Sequence, residues 1–265
     1  MRLIDTHCHI YTEEFDSDRE ELISASREFG LLAVLLPNID STSVESLYAL
    51  CDKFPDFCYP MMGLHPTSVD ADYVKELSYI EGLLSKRPYV GIGEIGIDLY
   101  WDKTFVKEQK IVFEEQLKWS VDMSLPVSIH TRNAFPEVFE VLSKVGRDKL
   151  KGVFHSFSGT VEQAKEALSF PNFKLGINGI VTYKNSDLPE VLKETATIHD
   201  IVVETDAPYL PPVPYRGKRN QPIYLFEIVQ KIAEIFNLSF DKVAEIIVKN
   251  SKEIYSTLDF GEFYD

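Results

Sequence analysis

Two histidines, His7 and His9, lie one residue apart near the start of the sequence, in the stretch LIDTHCHI (3–10). In an extended segment successive side chains point to opposite faces, so residues two apart share a face. Both imidazoles would then project the same way at the end of a short apolar strand, as two ligands of one metal ion must. The alternative is a surface or helix-capping pair, because so short a motif also occurs by chance.

Further residues suited to metal chemistry recur along the chain. They are His65, Glu94, His130, His155 and Asp206. Each lies in or directly after a short run of apolar residues, whereas His199, the sixth histidine, precedes the last such run. In a fold where the ends of many strands meet, these five residues would lie together with His7 and His9. His199 would lie at the opposite end.

Eight apolar runs provide such strands. They are RLID (2–5), LLAVLLP (31–37), CYPMMGLHP (58–66), YVGIGEIGID (89–98), PVSIHTRN (126–133), KGVFHSFSG (151–159), FKLGINGIV (173–181) and IVVETDAP (201–208). Amphipathic segments with helical spacing separate them, as at 16–30, 107–123 and 136–146, and 241–258 is expected to be a closing helix. Continuous apolar strands alternating with helices are typical of a parallel sheet. We predict an α/β fold, a (β/α)₈ TIM-type barrel forming one domain over residues 1–265.

The active site of such a barrel lies at the carboxyl-terminal ends of the strands. Imidazole and carboxylate together suit divalent Zn, Mn, Co or Mg, and four histidines with two acids are too many for one catalytic ion. We therefore predict two divalent metal ions about 3.5–4 Å apart, with a hydroxide between them as the nucleophile. The allocation is His7, His9, Glu94 and Asp206 to one ion, and Glu94, His130 and His155 to the other. Glu94 would bridge the ions, and Asp206 could accept the proton of the hydroxide.

The composition limits the other classes of function. The formal net charge of -15 argues against a protein that coats duplex nucleic acid through its phosphates. No apolar run reaches the ~20 residues that span a bilayer, and the polar N-terminus does not resemble a signal peptide. The odd, scattered set Cys8, Cys51 and Cys58 predicts free thiols in a cytoplasmic protein, with Cys8 as a packing residue.

The order and spacing of several motifs resemble the TatD family of metal-dependent deoxyribonucleases, which belong to the wider amidohydrolase-like barrels. The motifs are DTHCH (5–9), GLHP (63–66), GEIGID (93–98), LPVSIHTRNA (125–134), GVFHSFSG (152–159), ETDAPYL (204–210) and YRGKRNQP (215–222). The resemblance implies a (β/α)₈ barrel, two divalent metals and hydrolysis of nucleic-acid phosphodiesters. Its metal ligands fall on the same six residues that the strand pattern selects.

Some positions depart from the family pattern. Leu99, Tyr100 and Trp101 stand where paired tyrosines and a basic residue are frequent, Gln221 replaces a common acid, and Ser156 replaces a frequent cysteine. None is a predicted ligand, so these differences bear on substrate preference.

Other residues are candidates for supporting roles. His65 is left out of the metal set and is expected to contact phosphate or to hold a loop. Arg132, two residues after His130, is expected to bind a phosphate oxygen, with a salt bridge to a loop acid as the alternative. Glu204, two residues before Asp206, is a candidate to orient a histidine.

Two further groups are candidates for substrate contact. Tyr100 and Trp101 could stack on an unpaired base or pack in the core. Arg216 and Arg219 belong to a basic cluster that either lies along the substrate backbone or forms a solvated turn that locks the barrel.

The leading functional hypothesis is a deoxyribonuclease acting as a 3′–5′ exonuclease on single-stranded DNA or 3′ ends. The alternative keeps the metals and changes the bond, as in a deacylase of D-aminoacyl-tRNA or another amide or ester hydrolase. A third reading is a scaffold without catalysis, against which the complete ligand set argues. The sequence predicts no membrane association and no obligate protein partner.

Overall fold

Each of the eight apolar runs contains a β-strand in the computed structural model, which describes residues 2–258. The strands are β1 (Leu3–Asp5), β2 (Leu31–Pro37), β3 (Cys58–Met62), β4 (Gly91–Asp98), β5 (Val127–Arg132), β6 (Gly152–Phe154), β7 (Phe173–Ile177) and β8 (Ile201–Val203). They form one sheet in chain order, and every neighbouring pair is parallel. The predicted (β/α)₈ barrel is confirmed.

One α-helix occupies each connection between consecutive strands, and two more follow β8. They are α1 (Arg19–Glu28), α2 (Val44–Lys53), α3 (Tyr73–Leu83), α4 (Val106–Met123), α5 (Phe135–Val145), α6 (Val161–Leu168), α7 (Leu188–Thr195), α8 (Leu225–Phe236) and α9 (Phe240–Ile254). The helices expected within 16–30, 107–123 and 136–146 are present. The closing helix ends earlier than the predicted residue 258, because the chain turns at Tyr255 and buries that ring.

The core has two layers, one inside the barrel and one between the strands and the helices. Alternate strand residues such as Ile4, Leu35 and Val202 fill the interior, where they pack with Tyr255 and Leu258. A larger apolar cluster joins the outer faces of the strands to the helices. Burial on both faces explains why the strands are continuous apolar runs.

The first and last strands are joined by hydrogen bonds just beyond their ends. The amide of Thr6 donates to the carbonyl of Val203 over 3.1 Å, and the amide of Asp206 donates to the carbonyl of His7 over 2.9 Å. The carboxylate of Asp5 accepts from both the amide and the hydroxyl of Thr205, over 2.9 and 2.5 Å. This seam places the histidine pair of the first strand beside the acid that follows the last one.

The three cysteines are buried and form no disulfide, as predicted. The thiol of Cys8 lies 4.0 Å from the carbonyl of Ala207. None of the helices within residues 2–258 is both long and apolar enough to cross a bilayer.

Gly96 provides a test of the strand spacing next to the site. It pairs with His130 across β4 and β5, its φ is +149°, and an added Cβ would lie 2.0 Å from the carbonyl oxygen of His130. We expect Gly96→Ala to lower the free energy of unfolding by at least the roughly 1–3 kcal/mol typical of an overpacked core, measured by chemical denaturation. Gly82→Ala is the control, because it adds a Cβ to helix α3 with nothing within 4 Å. Equal stability of the Gly96 variant and the wild type would contradict the close approach of the two strands.

Candidate metal centre

The six predicted ligands meet at the carboxyl-terminal end of the barrel. They are His7 and His9 after β1, Glu94 in β4, His130 in β5, His155 after β6 and Asp206 after β8. His130 is partly buried and the others are buried. His199 is exposed and lies before β8, at the opposite end, as predicted.

Glu94 is the centre of this cluster, and each of its oxygens faces a different group. Its Oε2 lies 3.1 Å from Nε2 of His7 and 3.5 Å from Nε2 of His9. Its Oε1 lies 2.8 Å from Nδ1 of His130 and 3.7 Å from Nε2 of His155. This division matches the predicted allocation, in which one carboxylate is shared between two ligand groups.

Asp206 lies between the two groups. Its Oδ1 is 3.8 Å from Nε2 of His9 and also 3.8 Å from Nε2 of His155. The rings of His7 and His155 stack with their centroids 3.4 Å apart, so the two groups are in direct contact. Asp206 can therefore reach either group.

Polar neighbours fix the orientation of the histidine rings. Nδ1 of His9 lies 2.9 Å from the hydroxyl of Tyr11, which donates its own hydrogen to the carbonyl of Pro37 over 2.6 Å. The tyrosine oxygen must therefore accept from Nδ1, and this leaves the lone pair of His9 on Nε2, facing Glu94. We assign this tautomer from the hydrogen bonds.

The same reasoning applies to the histidines of the second group. Nε2 of His130 lies 2.9 Å from Oδ2 of Asp98, and Nδ1 of His155 lies 2.8 Å from Oε1 of Glu204. Carboxylate oxygens only accept, so the nitrogens that face Asp98 and Glu204 carry hydrogen. With a metal ion bound, the nitrogens that face Glu94 would be deprotonated and would offer their lone pairs to the ion. Glu204 thus has the orienting position predicted for it. Such outer partners commonly accompany metal-binding histidines.

His65 differs from these histidines. Its Nε2 lies 3.3 Å from Oε1 of Glu94, and by distance alone it could join Glu94 and His130 around an ion. However, its Nδ1 accepts a hydrogen bond from the amide of Thr67 over 3.1 Å. Burial lowers the pKa of His65, so the neutral ring carries its hydrogen on Nε2. A protonated nitrogen cannot bind a metal, and we therefore keep His65 outside the ligand set as a hydrogen-bond donor.

The electrostatics of the cluster favour added positive charge. Burial by itself lowers the pKa of His155, but the charges of Glu204, Asp206 and Glu94 outweigh this effect and raise it to about 10. Burial raises the pKa of Asp206 to about 6, against the attraction of His155 and His9. A bound divalent ion would take the place of the hydrogen that the raised pKa of His155 keeps on its ring. Imidazole nitrogens and carboxylates together are the donors that divalent transition-metal ions prefer. The residues therefore fit the metals predicted for them.

A cavity of about 860 Å³ opens above this cluster. His65, Tyr100, Trp101 and Arg132 line it together with five of the six predicted ligands. Within residues 2–258 no carboxylate forms an ion pair with Arg132, and its guanidinium carbon lies 4.1 Å from the ring centroid of Tyr100. The alternative of a salt bridge to a loop acid is therefore not observed.

The basic cluster near the end of the motif series lies outside this cavity. Arg219 makes two bonds to the carboxylate of Asp18, of 3.0 and 2.6 Å, and Arg216 lies over the ring of Tyr183 at 4.1 Å. The charge of Arg219 is thus paired with Asp18. This arrangement supports the alternative interpretation, a turn that locks the barrel, over a contact with the substrate. Arg216 is exposed and does not line the cavity.

Three outer partners of the histidines were not predicted from the sequence. Tyr11 follows His9 by two residues, and Ser128, whose hydroxyl lies 3.0 Å from Nδ1 of His7, precedes His130 by two. Asp98 follows Glu94 by four residues in the same strand. Ser128 and Asp98 lie in the same strands as His130 and Glu94, at even spacing, so the alternation of side chains could have selected them. Tyr11 lies in the turn after β1, where strand alternation gives no signal.

Comparisons with known proteins agree with this geometry. Residues 4–256 match the family described as TatD related DNase. The chain belongs to the TatD family. It is 34% identical over 254 residues to YabD of Bacillus subtilis (strain 168), named an uncharacterized metal-dependent hydrolase, with 96% of this chain and 98% of that protein covered. A second uncharacterized metal-dependent hydrolase, from Mycoplasma genitalium, is 32% identical and covers 96% of this chain and 99% of its own length.

Solved structures extend the similarity to the fold. The TatD homologue YjjV of Escherichia coli K12 superposes with a TM-score of 0.88 at 27% identity, covering 96% of this TatD-family chain and 98% of its own. A TatD family hydrolase of Entamoeba histolytica superposes with a TM-score of 0.85 at 19% identity, covering 96% and 98% of the two chains. The family and the buried histidine and carboxylate clusters support assignment of the chain as a metal-dependent hydrolase.

Asp98 provides a test of the orienting contacts. Burial acts to raise its pKa, but hydrogen bonds from His130 and from the amides of Trp101 and Tyr100 hold that pKa below its ordinary value. Asp98→Ala frees the ring of His130, so we expect metal affinity to fall about 10- to 100-fold, measured by titration and by metal content after dialysis. Asp102→Ala is the control, since Asp102 caps a nearby turn through Thr104 and touches no histidine. If the Asp98→Ala variant bound metal with wild-type affinity, Asp98 would not be needed to orient His130.

Proposed function

We propose that this TatD-family chain hydrolyses phosphodiester bonds of nucleic acids, with single-stranded DNA or a DNA 3′ end as its substrate. The observation that carries the proposal is the division of Glu94 between two histidine groups, one at each carboxylate oxygen. Two divalent ions bound there would supply a nucleophilic hydroxide and Lewis-acid stabilisation of the charge that develops on phosphate oxygens. Cleavage in the 3′–5′ direction is part of this proposal.

The attacking water must lose a proton, and Asp206 lies close to the position proposed for that water. Its Oδ1 lies 3.8 Å from Nε2 of His9 and 3.8 Å from Nε2 of His155, so a water held between the two ligand groups would lie beside this oxygen. A general base must be within hydrogen-bond reach of the proton that it accepts. Asp206 is therefore our candidate for the proton acceptor.

Two donors on the cavity wall are suited to the substrate phosphate. The Nε2–H of His65 points toward Glu94 from outside the ligand set, and Arg132 brings a positive charge without a carboxylate partner within the described part of the chain. A charge-assisted bond from arginine and a bond from a neutral imidazole would hold two phosphate oxygens and orient the ester. Both contacts are proposals for the substrate complex.

The size and charge of the molecule favour a strand end over a duplex. The cavity of about 860 Å³ lies within the range of pockets that take a small ligand, and the net charge of -15 opposes a long phosphate footprint. A nucleotide at a splayed strand end can enter such a cavity.

A substrate panel tests the proposal directly. The protein should be stripped of metal, reconstituted separately with Mg, Mn and Zn, and given single-stranded DNA, duplex DNA, RNA and a D-aminoacyl-tRNA. We expect phosphodiester cleavage of single-stranded DNA from the 3′ end with at least one metal. If the protein deacylated the tRNA and cleaved no nucleic acid, the nuclease proposal would be wrong and the deacylase alternative would be supported.

Glu94→Gln tests the shared carboxylate. The substitution keeps the size of the side chain but replaces one anionic oxygen by an amide nitrogen, which cannot bind a cation. We expect at least one metal ion lost or loosely held, and turnover on single-stranded DNA reduced by orders of magnitude. His130→Ala is the matched comparison and should be milder, because it removes one ligand from one group only. Full metal content with near-normal turnover in Glu94→Gln would remove the bridging role.

A further inference from the structure

Two large aromatic side chains at the rim of the cavity are unusually exposed. Trp101 is 69% exposed and Tyr100 is 53% exposed, whereas the other tryptophan, Trp119, is buried in the core. Apolar surface contributes to folding roughly in proportion to the area removed from water, so rings left in solvent add little to stability. Core packing, one of the two roles considered from the sequence, therefore does not explain the position of these rings.

Arg132 joins these two rings. The rings of Tyr100 and Trp101 meet edge to face, with centroids 5.0 Å apart and planes at 86°. The guanidinium carbon of Arg132 lies 4.1 Å from the first centroid and 5.4 Å from the second. We call these three side chains the aromatic platform. It combines exposed π faces with a positive charge.

The aromatic platform is held in a fixed relation to the metal centre. Oδ1 of Asp98 accepts from the amides of Tyr100 and Trp101 over 2.8 and 3.1 Å, while its Oδ2 contacts Nε2 of His130. The amide of Leu99 donates to the carbonyl of Arg132 over 2.9 Å. One carboxylate thus positions both a ligand histidine and the turn that carries the rings.

We propose that the aromatic platform binds an unpaired nucleobase of the nucleotide that carries the scissile phosphate. This inference rests on the proposed function and names the feature of the substrate that is recognised. A nucleobase presents a flat π face, and stacking on aromatic side chains tolerates every base. In a duplex both faces of an internal base are covered by its neighbours, so the platform accepts only a splayed or terminal nucleotide. Arg132 adds a cation beside the same base and its phosphate.

The test compares wild-type protein with Trp101→Ala on two substrates, one of which lacks the base. Hydrolysis by the metal-loaded protein is measured on a single-stranded oligonucleotide and on the same oligonucleotide with an abasic sugar at the scissile position. We expect Trp101→Ala to lower kcat/KM on the intact strand by about 5- to 150-fold, the range for loss of one stacked base. It should have no further effect on the abasic strand. Trp101→Phe should restore most of the loss, and metal content should be unchanged in both variants.

Tyr79→Ala is the matched control, because Tyr79 is 48% exposed on helix α3 and does not line the cavity. An equal loss on both strands, or no loss on either, would overturn the proposal. A second readout is quenching of 2-aminopurine, placed at the scissile position, when the strand binds wild-type protein but not Trp101→Ala. If no nucleic acid is hydrolysed but this quenching is seen, the base site stands and the proposed reaction fails. If neither is seen, both fail.

Discussion

The buried carboxylate of Glu94 is the constraint around which the site is organised. A carboxylate removed from water is costly unless opposite charges or hydrogen-bond donors surround it. Burial acts to raise the pKa of Glu94, but His65, His7 and His155 hold it well below its ordinary value. The imidazoles in turn come from different strands, so the acid can be accommodated only when the barrel is closed.

Closure of the barrel therefore serves the site as well as the core. The seam between β1 and β8 brings residues about two hundred positions apart into hydrogen-bond contact, as in the bonds of Asp5 to Thr205. It sets His9 opposite Asp206, whose amide is tied to the carbonyl of His7. A barrel that opened at this seam would separate His9 from Asp206, which also faces His155.

The outer partners of the histidines link the site to its surroundings. Asp98 holds both His130 and the turn with Tyr100 and Trp101, so the geometry at the ligands and the geometry at the rim are set by one side chain. The stacked rings of His7 and His155 similarly connect the two ligand groups. The ligands and the turn at the rim are thus linked by direct hydrogen bonds through Asp98.

The sequence alone determined the strands and the candidate ligands. Continuous apolar runs alternating with amphipathic segments indicate a parallel sheet, and the alternation of side chains put His7 with His9 and Glu204 with Asp206. These features are local, because the period of a strand and the identity of its end residues can be read from a few neighbouring positions.

Only the tertiary structure decided what depends on distant partners. Arg219 pairs with Asp18, 201 residues away, whereas Arg132 lies against two aromatic rings and forms no ion pair within residues 2–258. The proton of His65 is assigned by the amide of Thr67, and helix α9 ends where Tyr255 enters the barrel interior. Charge pairing, tautomers and helix ends follow from what packs against a residue, and those neighbours come together only when the chain closes its barrel.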